Sequence, residues 1–289
     1  MKTNRNKFLH IWKQQLAIVI PHLHFDTFLQ RVCQNVYPLT VICVWDGEKP
    51  NMQNILYVRG GGSFAKSSNI GIAHAQSLGF SYVCLINDDV EIFLDQIIQL
   101  LKNIEDRTDL ISPYTYNDKK ESRSGIYVND FLGYTRCISG KMIQLYQFFQ
   151  GNTKNIHSIG ACMIFRSSFR IDDRYPHGME DVEFSRRIKQ TRSSVNTKIV
   201  SNVSVLHKGQ KTSKRYSYDN EKKSLQGRFL LFEKRQNFLV VGSFLHVICN
   251  GNNKRQRFIA IKHALEWNRD RLTCLLHTQT QGFRSRRFK

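Results

Sequence analysis

The chain is poor in acidic residues, with 23 Asp and Glu against 43 Lys and Arg and a formal net charge of +20. It has no CxxC pair, and its seven cysteines are odd in number. No internal repeat, low-complexity block or long flexible linker interrupts it. Long apolar runs are also missing. Leu16 to Pro21 near the start is too short for a signal-peptide core or a membrane span. Phe238 to Cys249 is longer but still too short to cross a bilayer, and it reads as a buried helix or strand, with shallow membrane contact as the alternative. No recognisable RNA- or DNA-binding motif accompanies the positive charge.

What is present suits a folded enzyme-sized domain. A length of 289 residues allows one large domain or one domain with an appendage. The 41% hydrophobic content suffices for a core. Cys43, Cys84, Cys162 and Cys249 lie inside apolar runs and read as buried reduced thiols, which favours a cytoplasmic compartment. The charge is uneven. Residues 208–289 hold 19 Lys/Arg against 5 Asp/Glu, so most of the excess sits in the last quarter of the chain. Such a tail suits an anionic partner: nucleic acid, an acidic membrane surface or a phosphorylated ligand.

The hydrophobic pattern alternates between short buried strands and helices. LAIVI at 16–20, TVICVW at 40–45, ILYV at 55–58 and YVCLI at 82–86 read as strands. Residues 25–36, 63–78 and 94–104 carry apolar side chains at helical spacing. A further extended run begins at Leu110. This order, β-α-β-β-α-β-α-β, predicts an α/β fold with a mostly parallel sheet covered on both faces. Further on, 156–165 reads as a strand, 180–189 as a helix with an acidic first turn, and 195–200 and 203–206 as late strands. Beyond His207 the pattern becomes helical and basic.

Several polar residues stand where such a fold gathers chemistry. Residues at the carboxyl ends of parallel strands face the ligand crevice. Asp46 ends the second strand, where it either accepts hydrogen bonds from a base or ribose or simply forms an Asp-Gly turn. Asn87-Asp88-Asp89 ends the strand at 82–86. One or two carboxylates plus substrate phosphates are what Mg2+ or Mn2+ asks for; the alternative is a helix cap before Leu94. Glu180 and Asp181 open a helix, as a general base on an acceptor hydroxyl or as a charged turn stabilised by the helix dipole. His207 closes a late strand, where a neutral imidazole completes a metal shell or serves only as a surface or core residue.

Taken together and in order, these segments resemble the family 2 glycosyltransferases of the GT-A superfamily, most of all the rhamnosyltransferase-like branch. The resemblance is carried by LAIVIP at 16–21, VICVWDG at 41–47, GGSFAKSSNIGIAHA at 61–75 and YVCLINDDVEI at 82–92. It continues through IGACMIF at 159–165, MEDVEFSRRI at 179–188 and VLHKG at 205–209, with a fainter likeness at 232–238. It covers roughly residues 15–240. The chain departs from the family pattern in having Asn87 at the first position of the DxD-type motif, and WDGEKP where an Asp-Asn-Gly-Ser type is usual.

The resemblance implies a GT-A catalytic domain over 1–210 and a basic, mainly helical extension over 211–289. It implies an inverting transferase that moves a sugar from a nucleotide-sugar to a hydroxyl of a glycan or lipid-linked acceptor, in a polysaccharide pathway. Pro21, Asp46, Gly62, Ala65, Asn69, Gly71, Asn87 and Asp88 would surround the nucleotide-sugar. Asp89, with His207, would hold a divalent metal, Mn2+ or Mg2+. Asp181 would be the base, with Glu180 as the second candidate. The location expected is cytoplasmic, with peripheral attachment to the inner face of an anionic membrane through the basic segment. No nucleic acid is expected as partner. The competing readings are a basic nucleic-acid-binding protein and a metal-dependent nucleotidyltransferase. Pro21-His22-Leu23-His24 after the first strand, where nucleotidyltransferases carry a glycine-rich basic stretch, argues against the last.

Overall fold

The computed structural model describes residues 2–21, 27–45, 55–106, 108–129, 134–150, 155–175, 178–191 and 196–208, with residues 223, 226, 227, 230 and 231 beyond them. Asp46 lies outside the described residues, as do 238–249 and nearly all of the 211–289 extension. The chain divides into two units, residues 1–128 with 136–215 and residues 129–135 with 216–289. The account below concerns the first.

Its elements are α1 (Lys2–Gln15), β1 (Leu16–Pro21), α2 (Thr27–Asn35), β2 (Thr40–Trp45), β3 (Ile55–Arg59), α3 (Phe64–Ser77), β4 (Tyr82–Ile86), β5 (Val90–Glu91) and α4 (Leu94–Leu101). They continue with β6 (Thr108–Tyr116), β7 (Gly125–Asn129), β8 (Tyr134–Ile138), α5 (Gly140–Gln150), β9 (Ile156–His157), β10 (Cys162–Arg166), α6 (Glu180–Thr191) and β11 (Asn196–His207). Eight strands form one sheet in the order β3-β2-β1-β4-β10-β6-β11-β5, and β8-β7-β9 form a small second sheet. In the large sheet β3, β2, β1, β4, β6 and β11 run one way, and β10 and β5 run against them. The fold is therefore the mixed, mostly parallel sheet flanked by helices that the alternating pattern predicts.

The continuous apolar runs follow from burial on both faces. All six residues of β1 are buried. Leu16, Ile18 and Ile20 face one core, with Leu29 and Val32 of α2 and Ile97, Leu100 and Leu101 of α4. Ala17 and Val19 face the other, with Ala65, Ile72 and Ala75 of α3 and Phe184 and Ile188 of α6. Fully burying such side chains contributes about 1.5–3 kcal/mol each. Cys43, Cys84 and Cys162 are buried and free, with the Cys84 and Cys162 sulfurs 4.0 Å apart.

Three readings are refined. The run 156–165 is two strands, β9 and β10, parted by a turn at Ser158–Ala161. The late strands are one long strand, β11, whose register against β6 slips between Val200 and Ser204. The amino-terminal helix α1 was not legible from its polar sequence; Trp12 packs edge-on to Tyr82 with ring centroids 5.3 Å apart. Among the described residues no helix is long and apolar enough to cross a membrane.

Candidate active site at the carboxyl edge of the sheet

Because six strands share a direction, their carboxyl ends open on one edge. The strand order reverses between β1 and β4, since β2 and β3 lie on one side and the later strands on the other. That is the position where an open α/β sheet leaves a crevice. Pro21 ends β1 there, buried and in register with Val44 of β2. Asn87-Asp88-Asp89 follows the end of β4. β10 runs the other way, so it brings its beginning to this edge. Cys162 pairs with Ile86, and the Asn87 N–H donates to the Ala161 carbonyl at 3.0 Å.

β5 and β11 add His207. The pairing of Val90 with His207 sets the imidazole beside Asp89. Nε2 of His207 lies 3.0 Å from Oδ1 of Asp89, and the Lys208 N–H donates to the Asp89 carbonyl at 3.0 Å. Asp89 is 8% exposed. The Asn87 side-chain oxygen is buried with no hydrogen-bond partner among the described residues. Asp88 is half-buried beside it.

The beginning of α6 completes the group. Gly178 and Met179 both take positive φ, 78° and 71°, before the helix starts. For Met179 this left-handed turn costs on the order of 1 kcal/mol, a strain typical of functional sites. The first turn then carries Glu180, Asp181 and Glu183. Oδ2 of Asp181 accepts the Gly160 N–H at 2.7 Å, and Oδ1 accepts the Val182 N–H at 2.8 Å. Burial pushes the Asp181 carboxyl above its usual range, while the Gly160 and Val182 amides and nearby His207 pull it down. Burial and the Asp181 charge push Glu180 up to about 8. Oε2 of Glu180 is buried without a partner among the described residues.

The residues expected around α3 are placed as follows. Ser63 caps the helix by accepting the Lys66 N–H, and Gly62, exposed, supplies a φ of 76° to the turn before it. Ala65 is buried in the core. Asn69 spends both ends of its amide on Ile171, donating to its carbonyl at 2.7 Å and accepting its N–H at 2.8 Å. Gly71 packs directly on the sheet, where a Cβ would come within 2.4 Å of Val19 and 2.8 Å of Val44. Ala65 and Gly71 therefore serve the packing of α3 on the sheet, and Asn69 ties α3 to Ile171.

Among the described residues no group of three or more His, Cys, Asp and Glu side chains is placed to hold a metal ion. Asp89 and His207 offer one carboxylate and one imidazole. Mg2+ and Mn2+ characteristically complete such a partial shell with water and substrate phosphates. The donor set thus fits a cation shared with a diphosphate and does not fit a closed protein cage.

Sequence reasoning missed the Gly160–Ala161 turn. Its signal was a glycine inside an apolar run, which marks close approach of another group. It also missed His157 on β9, which is buried with Nδ1 unpartnered among the described residues. Burial, then Lys189 and Arg186, lower its pKa to about 3.

No family model and no curated protein sequence matches the chain. Solved structures similar to it include TarS 1–349 from S. aureus, 12% identical over 83% of this chain and 73% of that one, with a TM-score of 0.47. Another is the mannosyltransferase PcManGT from Pyrobaculum calidifontis in complex with GDP-Man and Mn2+, 12% identical over 92% and 79%, with a TM-score of 0.48. A third is 4-diphosphocytidyl-2C-methyl-D-erythritol synthase from Anaerococcus prevotii, 10% identical over 76% and 98%, with a TM-score of 0.44.

Proposed function

We propose that the chain is a GT-A glycosyltransferase that moves a sugar from a nucleotide-sugar to an acceptor hydroxyl with inversion at the anomeric carbon. The observation that carries this reading is the convergence at one sheet edge of two kinds of carboxylate. Asp89 is paired with an imidazole, between the end of β4 and the β5–β11 pair. Asp181 is held by two backbone amides.

In this reading Asp181 takes the proton of the acceptor hydroxyl. The acceptor oxygen forms its bond to the anomeric carbon as the bond from that carbon to the diphosphate oxygen breaks. The nucleoside diphosphate leaves with the electron pair. Asp89 and His207 would hold a divalent cation, which offsets charge on the leaving diphosphate. Asn87, with its unpartnered side-chain oxygen, and Asp88 border the same crevice and would meet the sugar-diphosphate. Glu180, kept protonated near neutral pH by burial, leaves the role of base to Asp181, whose carboxylate the Gly160 and Val182 amides stabilise. Asp46 would contact the base or ribose. Membrane attachment and a lipid-linked or glycan acceptor rest on the basic segment after residue 208.

The test is thermal stabilisation by a panel of nucleoside diphosphates and nucleotide-sugars with Mn2+, Mg2+ or EDTA, since a ligand of the folded state raises the melting temperature. The expected result is a metal-dependent shift with one nucleotide, followed by sugar transfer from its conjugate. Release of pyrophosphate from a nucleoside triphosphate and a sugar phosphate would instead identify a nucleotidyltransferase. Salt-sensitive oligonucleotide binding with no nucleotide shift would identify a nucleic-acid binder.

A further inference from the structure

The turn at Gly160–Ala161 makes two hydrogen bonds in opposite directions. Its first residue donates an N–H to Asp181 at 2.7 Å. Its second accepts the Asn87 N–H at 3.0 Å. One dipeptide thus fixes the carboxylate at the start of α6 against the segment that follows β4.

Gly160 is not among the glycines with positive φ, which are Gly62, Gly79 and Gly178 among the described residues. Its backbone conformation is open to any residue. What forbids a side chain is Asp181 itself. A Cβ on Gly160 would lie 2.9 Å from Asp181 Cβ, closer than real Cβ contacts come, and 3.2 Å from Oδ2, tighter than most of them. The missing side chain therefore serves the approach of one carboxylate to one amide.

We propose that Gly160 is a positioning residue, which aims the Asp181 carboxylate and registers it against the Asn87–Asp89 segment through the turn it shares with Ala161. The inference deepens the proposed transferase reading and rests on it for the role of Asp181 as base. The amide favours the ionised carboxylate, and it fixes one oxygen so that the remaining lone pairs face a constant direction. The ionisable groups near Asp181 are Glu180 on the same helix, His207 on β11 and Cys137 on β8. None of these donates to Oδ2 as Gly160 does.

The experiment uses the full chain, labelled with 15N-glycine, and three forms: wild type, Asp181→Asn and Gly160→Ala. In the wild type the Gly160 amide resonance is expected to titrate with the acid limb of the kcat–pH profile, and in Asp181→Asn that titration is expected to vanish. This measurement needs no change at Gly160 and stands even where Gly160→Ala folds poorly. In Gly160→Ala, kcat is expected to fall roughly 10- to 100-fold, the order that a displacement of about 1 Å costs. Its acid limb should move to higher pH, with the KM for the nucleotide-sugar and the nucleotide-induced melting shift near wild type.

A Gly160 amide indifferent to Asp181→Asn overturns the inference. So does Gly160→Ala with wild-type kcat and an unmoved acid limb. If the amide follows Asp181 but Asp181→Asn transfers sugar at the wild-type rate, the base assignment has failed, and the positioning role falls with it for that separate and visible reason.

Discussion

His207, the last residue of β11, and Asp89, just before β5, meet at 3.0 Å, and the backbone beneath them is joined as well, by the Lys208 N–H to the Asp89 carbonyl. The side-chain pair is thus mounted on a ladder between β5 and β11 and does not depend on two flexible side chains finding each other. In the proposed site such a pair would meet a cation without rearranging its backbone, the preorganisation that a metal-assisted reaction calls for.

Asp89→Ala is expected to abolish the metal-dependent part of the nucleotide-induced melting shift and to lower transfer by at least about 100-fold, since it removes the one carboxylate of the donor set. His207→Ala should weaken metal dependence less, leaving the carboxylate and the phosphates. Melting curves across a Mn2+ titration check both. An Asp89→Ala protein with full metal-dependent turnover would refute the assignment.

Asp181→Asn should separate chemistry from binding. The amide keeps the size of the carboxyl and still accepts one backbone N–H, but it cannot take a proton. Loss of a positioned base costs typically about 100- to 10,000-fold. Nucleotide binding, read by calorimetry, should stay near wild type while transfer collapses.

Glu180 makes stability depend on pH in a stated direction. Its folded carboxyl holds a proton up to about 8, against an ordinary value of 4.5, because of burial and then Asp181. A carboxyl raised in this way adds stability at pH below its ordinary value, and that addition is lost as pH rises through about 8. Each unit is worth about 1.4 kcal/mol. Glu180→Gln, which stays neutral, should flatten the fall in melting temperature across this window and melt higher than wild type at about pH 9. Parallel profiles for the two proteins would contradict the buried, proton-holding carboxyl.

Gly71→Ala tests the packing of α3 on the sheet. The added methyl would meet Val19 and Val44 side chains on neighbouring strands, and overpacking of this kind costs about 1–3 kcal/mol. A urea midpoint lowered with an unchanged slope, and a nucleotide shift that persists once the protein is folded, are the expected results.

The central strands were legible because burial on both faces leaves no room for polar residues: LAIVI, TVICVW and YVCLI announce themselves. The acidic residues of Asn87–Asp89 and Glu180–Asp181 were legible because such groups stand out beside apolar runs. Other features were not, each for a physical reason. β5 has two residues and exists only through its pairing with β11. α1 shows the core one narrow side, Phe8, Leu9 and Trp12, within a polar sequence. Asn69 reads as a residue beside a ligand, yet its amide is consumed by Ile171, a contact made by folding and by no local pattern. The bond between Gly160 and Asp181 depends on β10 running backwards, which hydrophobic spacing does not encode.

That reversed strand has a consequence for how such a protein can diversify. Across the large sheet, β3, β2, β1 and β4 lie on one side of it, and β6, β11 and β5 on the other. The two sides join through backbone hydrogen bonds between β4 and β10, and through side-chain contacts such as Asn69 with Ile171 and Asp89 with His207. Backbone pairing is indifferent to side-chain identity. A lineage can therefore vary residues of the later side that stand away from these contacts and keep the two sides in register. Variation should be freest away from these contacts and most constrained at the few residues that make them.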